Sequence, residues 1–83
     1  MPSSKCFYTH EMLYRGFKAT FKLNSSSVGS PWRAEQRTVI QGDNFGYILI
    51  QPLKDGVILD TLLQVFQARV MSIVDEHCYS KTS

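Results

Sequence analysis

The sequence predicts an α+β domain in which a three-stranded antiparallel meander is packed on one face by a single long C-terminal helix (βββα). Between residues 12 and 23, and again in two later segments, apolar and polar residues alternate with the period of a half-buried strand. Turn-forming residues separate these segments. From about residue 58, apolar residues recur at three- and four-residue steps, the period of an amphipathic helix.

Length and composition indicate one small folded domain. The chain has 83 residues, 43% hydrophobic and 19% charged, and a domain of this size buries only about 60% of the surface that its unfolded chain exposes. We expect residues 12–78 to form the domain, 1–11 a flexible or partly ordered N-terminal segment, and 79–83 a disordered tail. The net charge of +2 is too small to indicate a dedicated nucleic-acid-binding protein.

The N-terminal stretch MPSSKCFYTHEM lacks the apolar run and cleavage pattern of a secretory signal, and no run of about 18 apolar residues follows. We therefore expect a cytoplasmic protein with no membrane contact. In a reducing compartment, cysteines are more often free thiols than disulfides.

The first predicted strand lies in MLYRGFKATFKL, where alternation directs Leu13 and Phe17 toward the core and Lys18 toward solvent. The serine-rich residues 24–30 form a connection longer than a tight hairpin turn. The second strand lies in PWRAEQRTVIQ, and Gly42–Asn44 then reverse the chain into the third strand, FGYILIQ.

The C-terminal helix is expected from about residue 58 to residue 77, and Asp55 or Asp60 could accept hydrogen bonds from its first N–H groups. Its apolar stripe faces the sheet. The resulting core prediction comprises Phe17, Phe21, Trp32, Ile40, Ile48, Ile50, Leu59, Leu62, Phe66, Val70 and Ile73.

Beside this stripe, Ile58, Val65 and Ala68 form a second apolar flank of the helix, next to Arg69. A three-stranded sheet need not cover this flank, so it is a candidate protein interface. The sequence leaves open whether the N-terminal segment folds over it instead. The function we expect is a small non-enzymatic protein-interaction module that acts through its helix surface, with a homodimer as one form.

The alternative function is a nucleic-acid-binding module that uses the basic outer face of the sheet. Lys18 and Lys22 on the first predicted strand neighbour Arg33 and Arg37 on the second, with Tyr14 nearby. Cations beside an aromatic ring can bind a phosphate backbone. Alternating charges are also ordinary on an exposed strand.

Two cysteines and two histidines lie near opposite ends of the chain, as Cys6 with His10 and His77 with Cys78. A three-stranded meander followed by a helix brings both ends to one edge, where a Cys2His2 set could hold zinc. Neighbouring helical residues point about 100° apart, which disfavours a shared metal ion. We therefore predict no metal site; a Cys6–Cys78 disulfide is a further alternative.

No pattern in the sequence indicates catalysis. The acidic residues are scattered, and there is no nucleophile elbow and no glycine-rich phosphate loop. We therefore predict no catalytic residue, no cofactor and no small-molecule substrate.

The order YRGF, WRA and a helix ending ARVMSIVDEH resembles small bacterial domains of unknown function that carry a Tyr-x-Gly-aromatic strand, a Trp-x-Ala strand and a C-terminal helix. The resemblance covers about residues 12–77 and depends on Tyr14, Gly16, Phe17, Trp32 and Ala34. It implies a sheet packed by one helix and no assigned chemistry. A second likeness, to antitoxin-type partial sheets with a helix, would imply a protein partner, but the glycine-rich strand pattern of those proteins is missing.

Overall fold

The computed structural model describes residues 4–26 and 33–82, which form one four-stranded antiparallel sheet and one helix. The strands follow one another in the sheet in chain order, and the helix comes last. The predicted α+β class is confirmed, and the prediction of three strands is wrong by one strand. The elements are β1 (Ser4–Tyr14), β2 (Phe17–Ser26), β3 (Arg33–Gly42), β4 (Phe45–Pro52) and α1 (Leu59–Thr82).

The additional strand results from a tight turn inside the segment predicted to be one strand. Arg15 and Gly16 have φ angles of 51° and 84°, and two successive residues with positive φ are the mark of a type I′ hairpin turn. The turn pairs Tyr14 directly with Phe17, so the side-chain alternation changes parity between β1 and β2. Leu13 is consequently exposed at 77% instead of facing the core.

The second hairpin uses the turn that the sequence predicted. Asp43 and Asn44 have φ angles of 50° and 58°, and Gly42 before them has a φ of 154°. A Cβ atom at Gly42 would lie 2.9 Å from Phe17 Cδ2 and 3.1 Å from Phe17 Cα. Only glycine combines this backbone angle with this close approach. In an antiparallel meander, both two-residue turns lie at the same end of the sheet.

The core lies between α1 and the helix-facing side of the sheet. Of the predicted core residues, Phe17, Phe21 and Ile40 are buried on the sheet, and Phe66 and Val70 on the helix. Leu62 and Ile73 are half-buried and pack against this cluster. The buried apolar side chains are those of Phe17, Ala19, Phe21, Leu23, Ile40, Phe66, Val70 and Val74.

The core prediction is wrong for Ile48 and Ile50, which are 68% and 50% exposed. The two-residue turn pairs Phe45 with Gly42, and alternation from there directs Tyr47 and Leu49 toward the helix instead. Leu59, at the start of α1, is also exposed. Trp32 lies outside the described residues.

The outer elements extend into both predicted end segments. Residues 4–11, from the segment expected to be flexible or partly ordered, lie in β1, and residues 79–82, from the expected disordered tail, lie in α1. The helix has 24 residues, which corresponds to a length of about 36 Å. Its first turn carries Asp60 near the N-terminus, where the helix dipole favours a negative charge.

We predict that Gly42→Ala lowers the free energy of unfolding by more than about 1 kcal/mol, because the new methyl group meets the Phe17 backbone at a φ that alanine rarely adopts. Gly46→Ala is the matched control, since a Cβ atom there has no neighbour within 4 Å and φ is not positive. Urea unfolding of both variants measures the difference. Equal stability of the two variants would contradict the prediction.

Candidate interaction surface

The helix covers one face of the sheet, and no other described element covers the opposite face, which we call the open face. The pairing register places its side chains in four rows that run across the strands. These rows are Leu13–Lys18–Gln41–Gly46, Glu11–Thr20–Val39–Ile48, Thr9–Lys22–Arg37–Ile50 and Cys6–Asn24–Glu35–Pro52.

Positive charge is concentrated on the two central strands of the open face. Lys22 is directly opposite Arg37, and both side chains are exposed. Within the described parts of the chain, neither cation forms an ion pair. Like charges directly opposite one another destabilise a sheet. Lys18 lies 3.7 Å from Glu11, an exposed pair of the kind that contributes little.

The open face also contains a depression and a groove. A depression of about 190 Å³ is lined by Lys18, Thr20, Lys22, Arg37, Val39 and Gln41. A wider groove of about 520 Å³, lined by Glu11, Met12, Leu13 and Lys18, lies beside it toward the β1 edge. The cationic side chains thus surround a shallow floor that includes the aliphatic side chain of Val39.

Aliphatic side chains border the cations on both sides. Ile48 and Ile50 on β4 and Leu13 on β1 are each at least half exposed. None of the outward-facing residues in the rows of β2, β3 and β4 is aromatic. The cations of the two central strands are therefore bordered by aliphatic side chains, and the exposed ring of Phe7 lies away from them, at the bulge of edge strand β1.

The structure brings together three of the five residues predicted for the nucleic-acid face, namely Lys18, Lys22 and Arg37. Tyr14 does not share this face: its hydroxyl group donates a hydrogen bond of 2.8 Å to Asp75 on α1. The reason is the two-residue first turn, which pairs Tyr14 with Phe17 on the helix-facing side of the sheet. The side chain of Arg33 lies outside the described part of the structure.

The predicted interface on the helix is exposed at three of its four positions, Ile58, Val65 and Ala68. Arg69 is half-buried, and its Nη1 atom donates a hydrogen bond of 3.3 Å to Gln51 Oε1 on β4. This contact shows that the Arg69 flank of α1 lies on the β4 side of the sheet.

The cysteines lie at opposite ends of the sheet. The C-terminal half of α1 contacts Tyr14, and Cys6 lies eight residues earlier on β1, about 27 Å away along an extended strand. The additional strand thus reverses the N-terminal segment and separates Cys6 from Cys78. Both are free thiols. A hydrogen bond with the Thr9 hydroxyl group lowers the pKa of the exposed Cys6 thiol.

The two histidines have separate aromatic surroundings. His10 lies edge-on to the Phe66 ring, with ring centroids 6.0 Å apart. His77 lies between Phe17 and Phe45, with centroid distances of 5.6 and 4.6 Å. In the chain as described, no group of three or more His, Cys, Asp and Glu side chains has an arrangement that could hold a metal ion.

Two sets of hydrogen bonds, each centred on one aspartate, bind α1 to the two hairpin turns, and we call these two sets the helix clasps. Asp75 on α1 accepts hydrogen bonds of 2.8 Å from Arg15 Nη1 and from the Tyr14 hydroxyl group. Asp43 in the second turn accepts bonds of 2.7 Å from Lys81 Nζ to both oxygens, and its Oδ2 lies 3.2 Å from His77 Nε2.

The clasp partners change the acidity of both carboxyl groups. Hydrogen bonds from Arg15 and Tyr14 lower the pKa of Asp75. Hydrogen bonds from Lys81 and His77 lower the pKa of Asp43. The sequence pattern indicates only a turn at Asp43, and nothing local in the sequence indicates that two acids and two turns meet across more than 30 positions.

Comparison with known proteins gave no match among protein-family models, curated proteins or solved structures. The resemblance to small bacterial domains of unknown function therefore stays a prediction. No helix in the described residues is both long enough and apolar enough to cross a membrane.

We predict that acid weakens the fold through the helix clasps. Both carboxyl groups have a lower pKa in the folded protein than the value of about 3.9 in an unfolded chain, so the folded state binds fewer protons. Their contribution is therefore complete above about pH 4 and is lost as the pH falls through the folded pKa values. The double variant Asp43→Asn, Asp75→Asn should show a flatter fall in the free energy of unfolding below about pH 4.

The matched control is Asp55→Asn, an exposed residue between β4 and α1 that forms no ion pair with another described residue. Urea unfolding at a series of acidic pH values checks this prediction. The clasps would be ruled out as the cause if the double variant kept the acid dependence of the unmodified protein.

Proposed function

We propose that the protein is a non-catalytic protein-interaction module that binds its partner through the open face of the sheet. The proposal rests on the exposed Lys22–Arg37 pair, two like charges directly opposite each other, neither of which forms an ion pair with a described residue. Such a pair lowers the stability of the free protein and is relieved when a partner supplies negative charge.

The partner that fits the open face carries carboxylates beside aliphatic side chains. Lys18, Lys22 and Arg37 surround the depression and can form charge-assisted hydrogen bonds with Asp or Glu. Ile48 and Ile50 lie next to the cations on β4 and can bury a partner's aliphatic groups. An acidic amphipathic segment of a protein combines both properties.

Nucleic acid is the alternative ligand for the same cations. Modules that bind single strands without sequence preference combine cations with aromatic side chains on which bases stack. The described open face instead places isoleucine and valine beside its cations. A phosphate backbone could bind Lys22 and Arg37, but Ile48 and Ile50 provide no ring on which a base could stack. The composition of the face therefore favours a protein partner.

The proposal is tested by selecting binders from a displayed library of random peptides, with mixed-sequence single-stranded oligonucleotides titrated in parallel. We predict that selected peptides are enriched in Asp and Glu beside Leu, Ile or Val. Their binding should be lost in the double variant Lys22→Glu, Arg37→Glu, because that change replaces two facing positive charges on β2 and β3 with negative charges. Calorimetry on the purified peptides measures the loss.

Lys54→Glu is the matched control, since Lys54 is exposed between β4 and α1 and lies outside the rows of the open face. It should keep peptide binding. Salt-sensitive oligonucleotide binding that depends on Lys22 and Arg37, without enrichment of any peptide, would favour nucleic acid instead. Peptides that bind the double variant as well as the unmodified protein would place the interface elsewhere.

A further inference from the structure

We infer that β4 is a pairing edge through which two copies of the chain form a twofold-symmetric homodimer with one continuous eight-stranded sheet. The inference concerns the edge of the sheet and does not depend on the partner proposed for the open face. The evidence for it is a difference between the two edge strands, β1 and β4.

The β1 edge carries features that discourage pairing with another strand. Its register shifts between Cys6 and Tyr8, where a bulge interrupts the regular backbone. Charged side chains lie along it at Lys5 and Glu11. Bulges and charges are the means by which natural sheets keep edge strands from associating.

The β4 edge has neither a bulge nor a charge along its described length, and its proline, Pro52, is the last residue of the strand. Its register with β3 is unbroken from Phe45 to Pro52. The strand FGYILIQP has no charged residue, and Ile48 and Ile50 are exposed on it. A regular, uncharged edge with apolar side chains is the kind of edge that pairs with another strand.

Every second residue of β4 directs its backbone N–H and C=O groups away from β3, where a further strand could bind them. Gly42 and Phe45 flank a two-residue turn, and in such hairpins the flanking residues form a hydrogen-bonded pair. Hydrogen-bonded and non-hydrogen-bonded pairs then alternate along the strand. The odd-numbered residues therefore bond to β3, and Gly46, Ile48 and Ile50 direct their N–H and C=O groups outward.

A second copy is the occupant that this strand fits. When β4 pairs antiparallel with its own copy about Leu49, Ile48 lies opposite the partner's Ile50 on both sides of the twofold axis. β-Branched side chains pack well against their neighbours across the strands of a sheet. Because the strand is uncharged, this pairing places no like charges opposite one another.

The helix supports the same arrangement. Val65 and Arg69 are four residues apart on α1, so they lie on one side of the helix, and Ile58 directly precedes its first residue. The hydrogen bond from Arg69 to Gln51 places that side toward β4. In the dimer, these flanks of the two helices lie on either side of the paired β4 strands. The exposed helix residues predicted as an interface thus adjoin the same edge.

The test is the double variant Ile48→Lys, Ile50→Lys, because the inferred register places the introduced lysines directly opposite each other twice. Sedimentation equilibrium from micromolar to near-millimolar protein should show a dimer for the unmodified chain. The double variant should have a dissociation constant raised by about 100-fold or more. The matched control Phe7→Lys, Leu13→Lys changes two exposed residues of the opposite edge strand and should leave the dimer intact.

Amide hydrogen exchange on the unmodified chain gives a second readout that does not depend on a variant. The amides of Gly46, Ile48 and Ile50 should become protected as the protein concentration rises. A monomer throughout the concentration range, a dimer unaffected by the β4 variant, or a dimer lost in the β1 control would each overturn the inference. Because the unmodified chain is tested without a partner and keeps Lys22 and Arg37, failure here is distinguishable from failure of the proposed function.

Discussion

The architecture depends on the two type I′ turns at one end of the sheet. Each turn contains two residues, so each determines which side chains of the following strand face the helix. Each turn also holds α1 through a clasp, Asp75 with Arg15 and Asp43 with Lys81. The same two turns therefore determine which side chains face the helix and also hold the helix against the sheet. With the helix held on one face, the other face is left with the cations of β2 and β3 and the isoleucines of β4.

This division of the sheet also gives its two faces different compositions. The helix-facing side uses its large apolar residues to build a core with Phe66, Val70 and Val74. The open face has Lys22 and Arg37, which form no ion pair with a described residue, beside aliphatic groups, and the uncharged β4 edge adjoins it. In a β4-paired dimer, the two open faces would form one surface with two rows of cations flanking four isoleucines. Partner binding and self-association would then use adjoining parts of one sheet.

The sequence predicted the α+β class, the helix and most of its buried stripe, because apolar residues recur with the helical period along most of the 24 residues of α1. It missed the first turn because Leu13 and Phe17 are four residues apart, so a continuous strand would place both on one face. Arg15 also lacks the usual Asn or Asp signal of a type I′ turn. In FGYILIQ almost every position is apolar, so the pattern could not show which side faces the helix. The helix clasps join residues distant in sequence, and only the folded chain brings them together.

The two turns set the strand register, and proton NMR measures this register without any variant. In non-hydrogen-bonded antiparallel pairs the Cα atoms of facing residues come within about 4.5 Å, so their Hα protons give strong nuclear Overhauser effects. We expect such effects between Glu11 and Thr20 and between Val39 and Ile48. Absence of the Glu11–Thr20 effect, or a Val39 contact with Leu49 instead of Ile48, would contradict it.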